Sequence, residues 1–343
     1  MKILITGGCG FVGSNIAFYL KKRLKKASIY SLDNLIRNGS KVNRDRLKNI
    51  GIKNFKIDIS DNKKIKKIKT NFNLIIDCCA EPAIEASRKD PNRVFKTNLI
   101  GTYNLLQKAI KNKSKLIFLS SSRVYSIKKL RKIIKNLKIK SPLNKKIKIN
   151  ENFETQEPSS LYGFTKLASE KLIKEFFFET KLKYIINRFG VIAGPWQFGK
   201  QDQGFVPLWV ANHFFKKKLN YIGFGSEGHQ VRDIIHIDDV CEIIFLQIKK
   251  INKIYNVTFN IGGEIKNSIS LKNLTKLCQK FTGNKIKIGK VLKTSIYDVP
   301  YFISDNTKFK KTYNWKPKRS LDRIINDIYK WIINNRKVWK YFK

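Results

Sequence analysis

Short apolar runs and amphipathic stretches alternate through the first half of the chain. The runs KILIT (2–6), SIYSLD (28–33), FKID (55–58), LIIDCC (74–79), KLIFLSS (115–121) and KYIINRF (183–189) are continuous rather than alternating in polarity. A strand that is apolar throughout is buried on both faces, as in a parallel sheet. Between the runs, residues 11–25, 62–68, 91–111 and 159–180 carry a helical pattern. Strand–helix–strand repetition of this kind predicts an α/β fold built on a doubly wound parallel sheet.

The pattern changes after residue 190. Residues 190–207, GVIAGPWQFGKQDQGFVP, read as a Gly/Pro loop, followed by a helix at 206–217. VTFNIGG (257–263) reads as one more core strand, and helices are expected at 270–281 and 320–336. The predicted division is a nucleotide-binding domain over 1–190, rejoined by 234–263, and a smaller C-terminal α/β substrate lobe formed by 191–233 and 264–343. The segment 127–148, IKKLRKIIKNLKIKSPLNKKIK, reads as a basic surface insertion.

Composition narrows the functional classes. The 343 residues are 42% hydrophobic, enough for sizeable cores, and 71 Lys and Arg against 25 Asp and Glu give a net charge of +46. The lysines are spread over the whole chain among many Ile and Asn. The densest runs, KKRLKK and DNKKIKKIKT, lack interleaved aromatics, so no specific nucleic-acid partner is expected. The charge favours anionic ligands in general. Cys9, Cys78, Cys79, Cys241 and Cys278 show no CxxC spacing, and His213, His229 and His236 show no metal spacing. Neither a metal nor a disulfide framework is expected, and a cytoplasmic location fits. There is no apolar run of ~18 residues, so no membrane insertion is expected.

The sequence ITGGCGFVGSN places Gly7, Gly10 and Gly13 in GxxGxxG spacing directly after the first strand. Such glycines permit a tight turn, close approach of a pyrophosphate and close helix–strand packing, and the helix N-terminus supplies amides to the phosphates. Phe11 and Val12 complete that turn. Asp33 ends the second strand, 20 residues past Gly13, where a carboxylate accepts ribose hydroxyls and repels a 2′-phosphate. NAD is the expected cofactor, with Arg37 as the one feature pointing toward NADP. Asn34, Asp58, Ile59, Ala80 and Asn98 complete the candidate cofactor set. Asp58 is expected to end the third strand and to accept from adenine; Asn98 either serves the nicotinamide side or packs its helix.

Tyr162 and Lys166 stand in YxxxK spacing in SLYGFTKLASEKL, and on a helix the two share a face. A free phenol is a poor base at neutral pH, whereas an adjacent ammonium favours its ionised form. Tyr162 is therefore the candidate proton acceptor and Lys166 its electrostatic partner. Ser121, at the end of the fifth strand, is the third candidate catalytic residue, placed to hydrogen-bond the reacting oxygen.

Together TGGCGFVGS, NLIGT, SSSRVY, YGFTK, GHQVRDIIHIDDV and FNIGG resemble the NAD-dependent epimerase/dehydratase family of extended short-chain dehydrogenase/reductases. The resemblance covers essentially the whole chain. It implies a Rossmann-type domain holding NAD, a Ser121–Tyr162–Lys166 triad, a nucleotide-sugar substrate between two lobes, and a homodimer. It also assigns Arg232 in QVRD to the substrate diphosphate, and Gln203 to the substrate. Arg188 and Arg123 are further substrate candidates; Arg188 has a local ion pair as its alternative role. Dehydratases of the family place Asp-Glu after the triad Thr, and decarboxylases place Glu before VY. Here Ser122 and Arg123 stand in those positions, which points to epimerisation through transient oxidation and re-reduction of a sugar carbon. The expected reaction is inversion at C2 of a CDP-linked dideoxyhexose, with a UDP-sugar 4-epimerase as the alternative and a nucleic-acid-binding protein with an NAD fold as the distant one. The chain departs from the family pattern at Ser295, where an arginine is usual and Lys293 is the candidate substitute, and at Glu81 and Pro82, where the family usually has an AAQ-like segment.

Overall fold

The computed structural model describes residues 1–136, 147–157, 160–200 and 203–342. They form two compact units, the first comprising 1–124, 160–188 and 240–259, the second 125–159, 189–239 and 260–343. Residues 125–159, which the sequence division places with the first domain, group with the second unit.

The first unit is built on β1 (Lys2–Thr6), α1 (Phe11–Arg23), β2 (Ser28–Leu32), α2 (Ser40–Lys48), β3 (Lys53–Phe55), α3 (Asn62–Lys66), β4 (Leu74–Asp77), α4 (Ile84–Lys89), α5 (Pro91–Phe95), α6 (Gly101–Asn112), β5 (Lys115–Ser121), α7 (Leu161–Thr180), β6 (Tyr184–Phe189), α8 (Ile237–Lys250) and β7 (Val257–Ile261). The strands form one seven-stranded sheet in the order β7-β6-β5-β4-β1-β2-β3. Strand β1 pairs in parallel with β2, Lys2 opposite Ser28, and with β4, Ile3 opposite Leu74. The order reverses beside β1, which places a crevice beyond its C-terminal end. The continuous apolar runs are explained by burial: Leu4, Leu32, Ile75, Leu116, Phe118 and Ile186 pack with Leu105, Leu106 and Ala109 of α6 and Ile173 of α7. This is the doubly wound sheet expected from the pattern.

Element ends follow local chemistry. The side chains of Asp61, Asp90 and Ser160 cap α3, α5 and α7 by accepting from Lys64, Arg93 and Gly163 amides. A π-helical turn, Lys96–Ile100, joins α5 to α6. Strand β3 ends at Phe55, earlier than the run 55–58 suggests. The Ile57 amide turns back to the Phe55 carbonyl at 2.9 Å, which takes the chain out of the sheet. Asp58 therefore sits on the loop beyond β3 rather than at a strand end.

In the second unit, Val231–His236 pairs antiparallel with Ser268–Ser270 and parallel with Tyr301–Phe302 and Val191–Ala193. Leu219–Ile222 pairs in parallel with Ile288–Val291. The helices Phe205–Phe214, Leu271–Thr282 and Leu321–Asn334 bury Trp209, Val210, Leu274, Cys278, Ile325, Ile328 and Trp331 in one core. The first ten residues of the basic segment form a helix, Ile127–Asn136. Its Arg131 Nη2 donates to the carbonyls of Ser295 and Asp298, both at 2.8 Å. Residues 137–146 of that segment lie outside the described residues.

Candidate functional site

The glycine turn is assembled by close approach. Gly7 adopts the left-handed conformation at φ 59°. A Cβ on Gly13 would lie 2.3 Å from the Gly7 carbonyl oxygen, so only glycine lets α1 start this close to β1. Helix α1 is preceded by Gly10 and has no side-chain cap. The amides of Phe11, Val12 and Gly13 in its first turn are thus available to an anion, with the helix dipole behind them.

Asp33 closes the same turn from β2. Its Oδ2 accepts from the Cys9 amide at 3.0 Å and its Oδ1 from the Leu35 amide at 2.8 Å. Burial pushes its carboxyl above the ordinary carboxylate value, opposed by the Leu35, Cys9 and Gly10 amides and by the Arg37 charge. Each oxygen keeps acceptor capacity for a hydroxyl. Asp58 accepts from Asn34 Nδ2 at 2.7 Å and from the Ser60 amide and hydroxyl at 2.9 and 2.7 Å. Burial raises its pKa, but these hydrogen bonds outweigh that and hold it below the usual range. Asn34 and Asp58 thus clasp the loops after β2 and β3 together. The Ile59 side chain lies in the core, so any contact with a ligand falls to its main chain. Ala80 is half-buried just past β4. An uncapped helix start, a constricted glycine turn and a strand-end acid fit a diphosphate and a ribose diol.

Helix α7 carries Tyr162 and Lys166 one turn apart, both buried. A Cβ on Gly163 would lie 2.2 Å from the Arg123 carbonyl oxygen. Its absence seats the start of α7 on the Ser122–Val124 turn and brings Tyr162 alongside the end of β5. Lys166 Nζ donates to the Leu119 carbonyl at 2.9 Å and lies 4.4 Å from the Phe118 ring centroid. Ser121 Oγ accepts from the Arg123 amide at 3.2 Å. The three candidate catalytic residues therefore belong to one junction, the end of β5 and the first turns of α7.

Arg188 forms the ion pair that was its alternative role. Its Nε and Nη2 meet the Glu170 carboxylate at 3.0 and 2.6 Å, and Ser120 Oγ donates to Glu170 Oε1 at 2.5 Å. Both ends of the pair are buried, with side chains 7% and 1% exposed, so this guanidinium ties β6 to α7 and is not presented to an anionic ligand. Asn98 likewise packs its helix: its Oδ1 accepts from the Glu81 amide at 2.8 Å and its Nδ2 donates to Thr165 Oγ1 at 3.1 Å. Glu170 stands four residues past Lys166 on the same helical face, and no motif marks it in the sequence.

In the second unit, Arg232 Nη2 reaches Asp298 Oδ1 at 3.2 Å and the Val299 carbonyl. Gln203 Oε1 is buried without a partner among the described residues. Lys293 is exposed; it is Arg131 that contacts the Ser295 turn. Asp202, which precedes Gln203 in the 190–207 loop, lies outside the described residues. Among those residues no group of His, Cys, Asp and Glu has the arrangement of a metal site, and no helix is long and apolar enough to cross a membrane. Burial pushes the Cys9 thiol up to about 12, with Cys78 and Cys79 also raised by burial. These are not activated nucleophiles.

A glycine turn, a strand-end acid and a Tyr/Lys helix on a doubly wound sheet define a nicotinamide-dinucleotide enzyme. Residues 3–262 match the NAD dependent epimerase/dehydratase family, and the chain belongs to that family. Its cofactor is accordingly NAD. The chain is 29% identical to the CDP-paratose 2-epimerase of Salmonella typhi, over 96% of this chain and 99% of that one. It is 27% identical to the UDP-glucose 4-epimerase of Mycoplasma genitalium, covering 95% and 94%. Among solved structures, the UDP-glucose 4-epimerase of Thermotoga maritima with UDP-glucose superposes with a TM-score of 0.81 at 27% identity, covering 98% of this chain and 100% of that one. Membership in a family of nucleotide-sugar epimerases and dehydratases is thus established.

Proposed function

We propose that the chain is an NAD-dependent nucleotide-sugar epimerase that inverts a sugar carbon by oxidising and re-reducing it, most nearly C2 of a CDP-linked dideoxyhexose. One observation carries the choice of epimerisation over elimination: the turn that α7 packs against, Ser122–Val124, contains Arg123 and no carboxylate. Loss of water from a sugar needs an acid to protonate the departing hydroxyl, and none is supplied there.

When bound, NAD supplies the hydride acceptor that takes hydrogen from the sugar carbon and later returns it. The chain's own residues handle the proton. Tyr162 Oη takes the hydroxyl proton as the carbon–hydrogen bond breaks, leaving a ketone; the ketone then presents its opposite face, and Tyr162 Oη gives the proton back as the carbon–hydrogen bond re-forms with inverted configuration. Atoms and electrons balance over the cycle. Ser121 Oγ hydrogen-bonds the reacting oxygen. Lys166, with one N–H fixed on Leu119, keeps its charge beside the phenol, where it favours proton transfer to Tyr162. Phe11, Val12 and Gly13 amides hold the cofactor diphosphate and Asp33 the adenosine ribose. We assign Arg232 to the substrate diphosphate and Gln203 to a substrate hydroxyl, supported by the unpartnered Gln203 Oε1.

A homodimer is the assembly we propose; the exposed Phe95, Tyr103 and Phe164 on α5, α6 and α7 support it, and light scattering tests it. The reaction is tested by a panel of CDP- and UDP-linked sugars with product NMR at H2 and H4. Inversion at C2 of a CDP-sugar supports the reading, whereas inversion at C4 of a UDP-sugar transfers the assignment to a 4-epimerase. Turnover of none of them refutes it.

A further inference from the structure

Glu81, which departs from the usual family segment, carries a nearly buried carboxylate between two arginines. Its Oε1 accepts from Arg37 Nη1 at 2.7 Å and its Oε2 lies 3.0 Å from Arg93 Nη2, with the Glu81 side chain only 6% exposed. Main-chain bonds to Asn98 fix Glu81 on both sides, the amide donating at 2.8 Å and the carbonyl accepting at 3.2 Å. The two arginines lie near the carboxylates assigned to the adenosine half of NAD. Arg37 acts electrostatically on Asp33, and Arg93 on Asp58. Arg37 follows Asp33 by four residues and is thus the cation best placed by sequence to meet a phosphate on the adenosine ribose. A guanidinium serves a phosphate well through paired N–H donors. Here one of those donors is already held by a fixed carboxylate.

We propose that Glu81 is a cofactor-selectivity residue: by engaging Arg37 it denies the adenosine end an anion site, so that NADP is rejected by Glu81 as well as by Asp33. This rests on the NAD assignment and deepens it. With Glu81 present the trio carries one excess positive charge, and with glutamine in its place the excess is two. Arg37 carries that change toward the ribose carboxylate, because it is held by Glu81 and its charge acts on Asp33.

The test equilibrates the purified full-length protein with equimolar NAD+ and NADP+ and reads the bound ratio by native mass spectrometry. Wild type should hold NAD+ in large excess. Glu81→Gln should raise the NADP+ share by about tenfold, a shift of the size a charged contact gives, and adding Arg37→Ala should return it to the wild-type ratio. An unchanged ratio in Glu81→Gln, or a gain that survives in the double variant, overturns the proposal. Arg37→Ala alone, which leaves no buried carboxylate unpaired because Arg93 remains, provides a second measurement. It should leave the NADP+ share unchanged; a fall would show that Arg37 already reaches the 2′-phosphate and would also overturn the proposal. Wild type that holds neither nucleotide would instead refute the cofactor assignment itself.

Discussion

The Lys166 ammonium donates to the Leu119 carbonyl at 2.9 Å, two residues before Ser121 on the same strand. This hydrogen bond, together with that from Ser120 Oγ to Glu170 Oε1 at 2.5 Å, joins α7 to the strand that ends in Ser121. It fixes where the lysine charge sits without consuming all three of its N–H donors.

Tyr162→Phe should remove the proton acceptor and leave packing intact, because the ring stays and only the hydroxyl is lost. Turnover should fall by about 10²–10⁴-fold while bound NAD, measured by mass spectrometry, stays at the wild-type amount. Full activity in that variant would remove Tyr162 from the mechanism.

Gly163→Ala should damage both fold and rate. The new Cβ meets a backbone oxygen at 2.2 Å, so helix α7 must shift off the Ser122–Val124 turn. Overpacking of this kind costs on the order of 1–3 kcal/mol, to be read from denaturant unfolding. The accompanying loss of kcat should exceed any rise in KM.

Arg188→Ala leaves Glu170 charged and buried without its partner. Breaking such a pair costs about 3–5 kcal/mol, so unfolding should move to markedly lower denaturant. An Arg188 that bound substrate would instead raise KM at unchanged stability.

Asp233 gives a pH signature. It is fully buried, and desolvation raises its carboxyl from 3.8 to about 6, against opposing hydrogen bonds from Ser304 and Glu264. A raised value means the folded protein binds this proton more tightly than the unfolded chain does. The stabilisation is therefore complete below about pH 4 and lost as pH rises through about 6, a swing of about 3 kcal/mol at ~1.4 kcal/mol per pKa unit. Relative to Asp233→Asn, wild type should lose stability from pH 4 to pH 7 in urea titrations. Parallel pH profiles for the two proteins would contradict this.

The first unit is legible where its strands are buried on both faces and its helices run to 12 residues or more, as in α1, α6, α7 and α8; KLIFLSS coincides with β5 residue for residue. The second unit was less so. Its strands, such as Ser268–Ser270 and Tyr301–Phe302, are two or three residues long, too short to show a period. The site residues divide the same way. The glycine turn and YxxxK are local patterns with local consequences. Arg188 was ambiguous because its partner, Glu170, lies on another element, and a strand-end position does not reveal which charge it faces. Glu81 stood out only as a departure, since its partner Arg37 is 44 residues away. Ile57 extends the apolar run past Phe55 and so suggests a strand that ends at Asp58, whereas the backbone turns at Phe55.

In the proposed epimerisation hydrogen leaves the sugar carbon as hydride and returns to it within one active site. The most direct measurement is product NMR after turnover of the accepted nucleotide sugar in D2O. An inverted carbon that keeps its original, non-exchanged hydrogen is the expected result, whereas deuterium at that carbon would show proton abstraction from carbon and rule out hydride transfer.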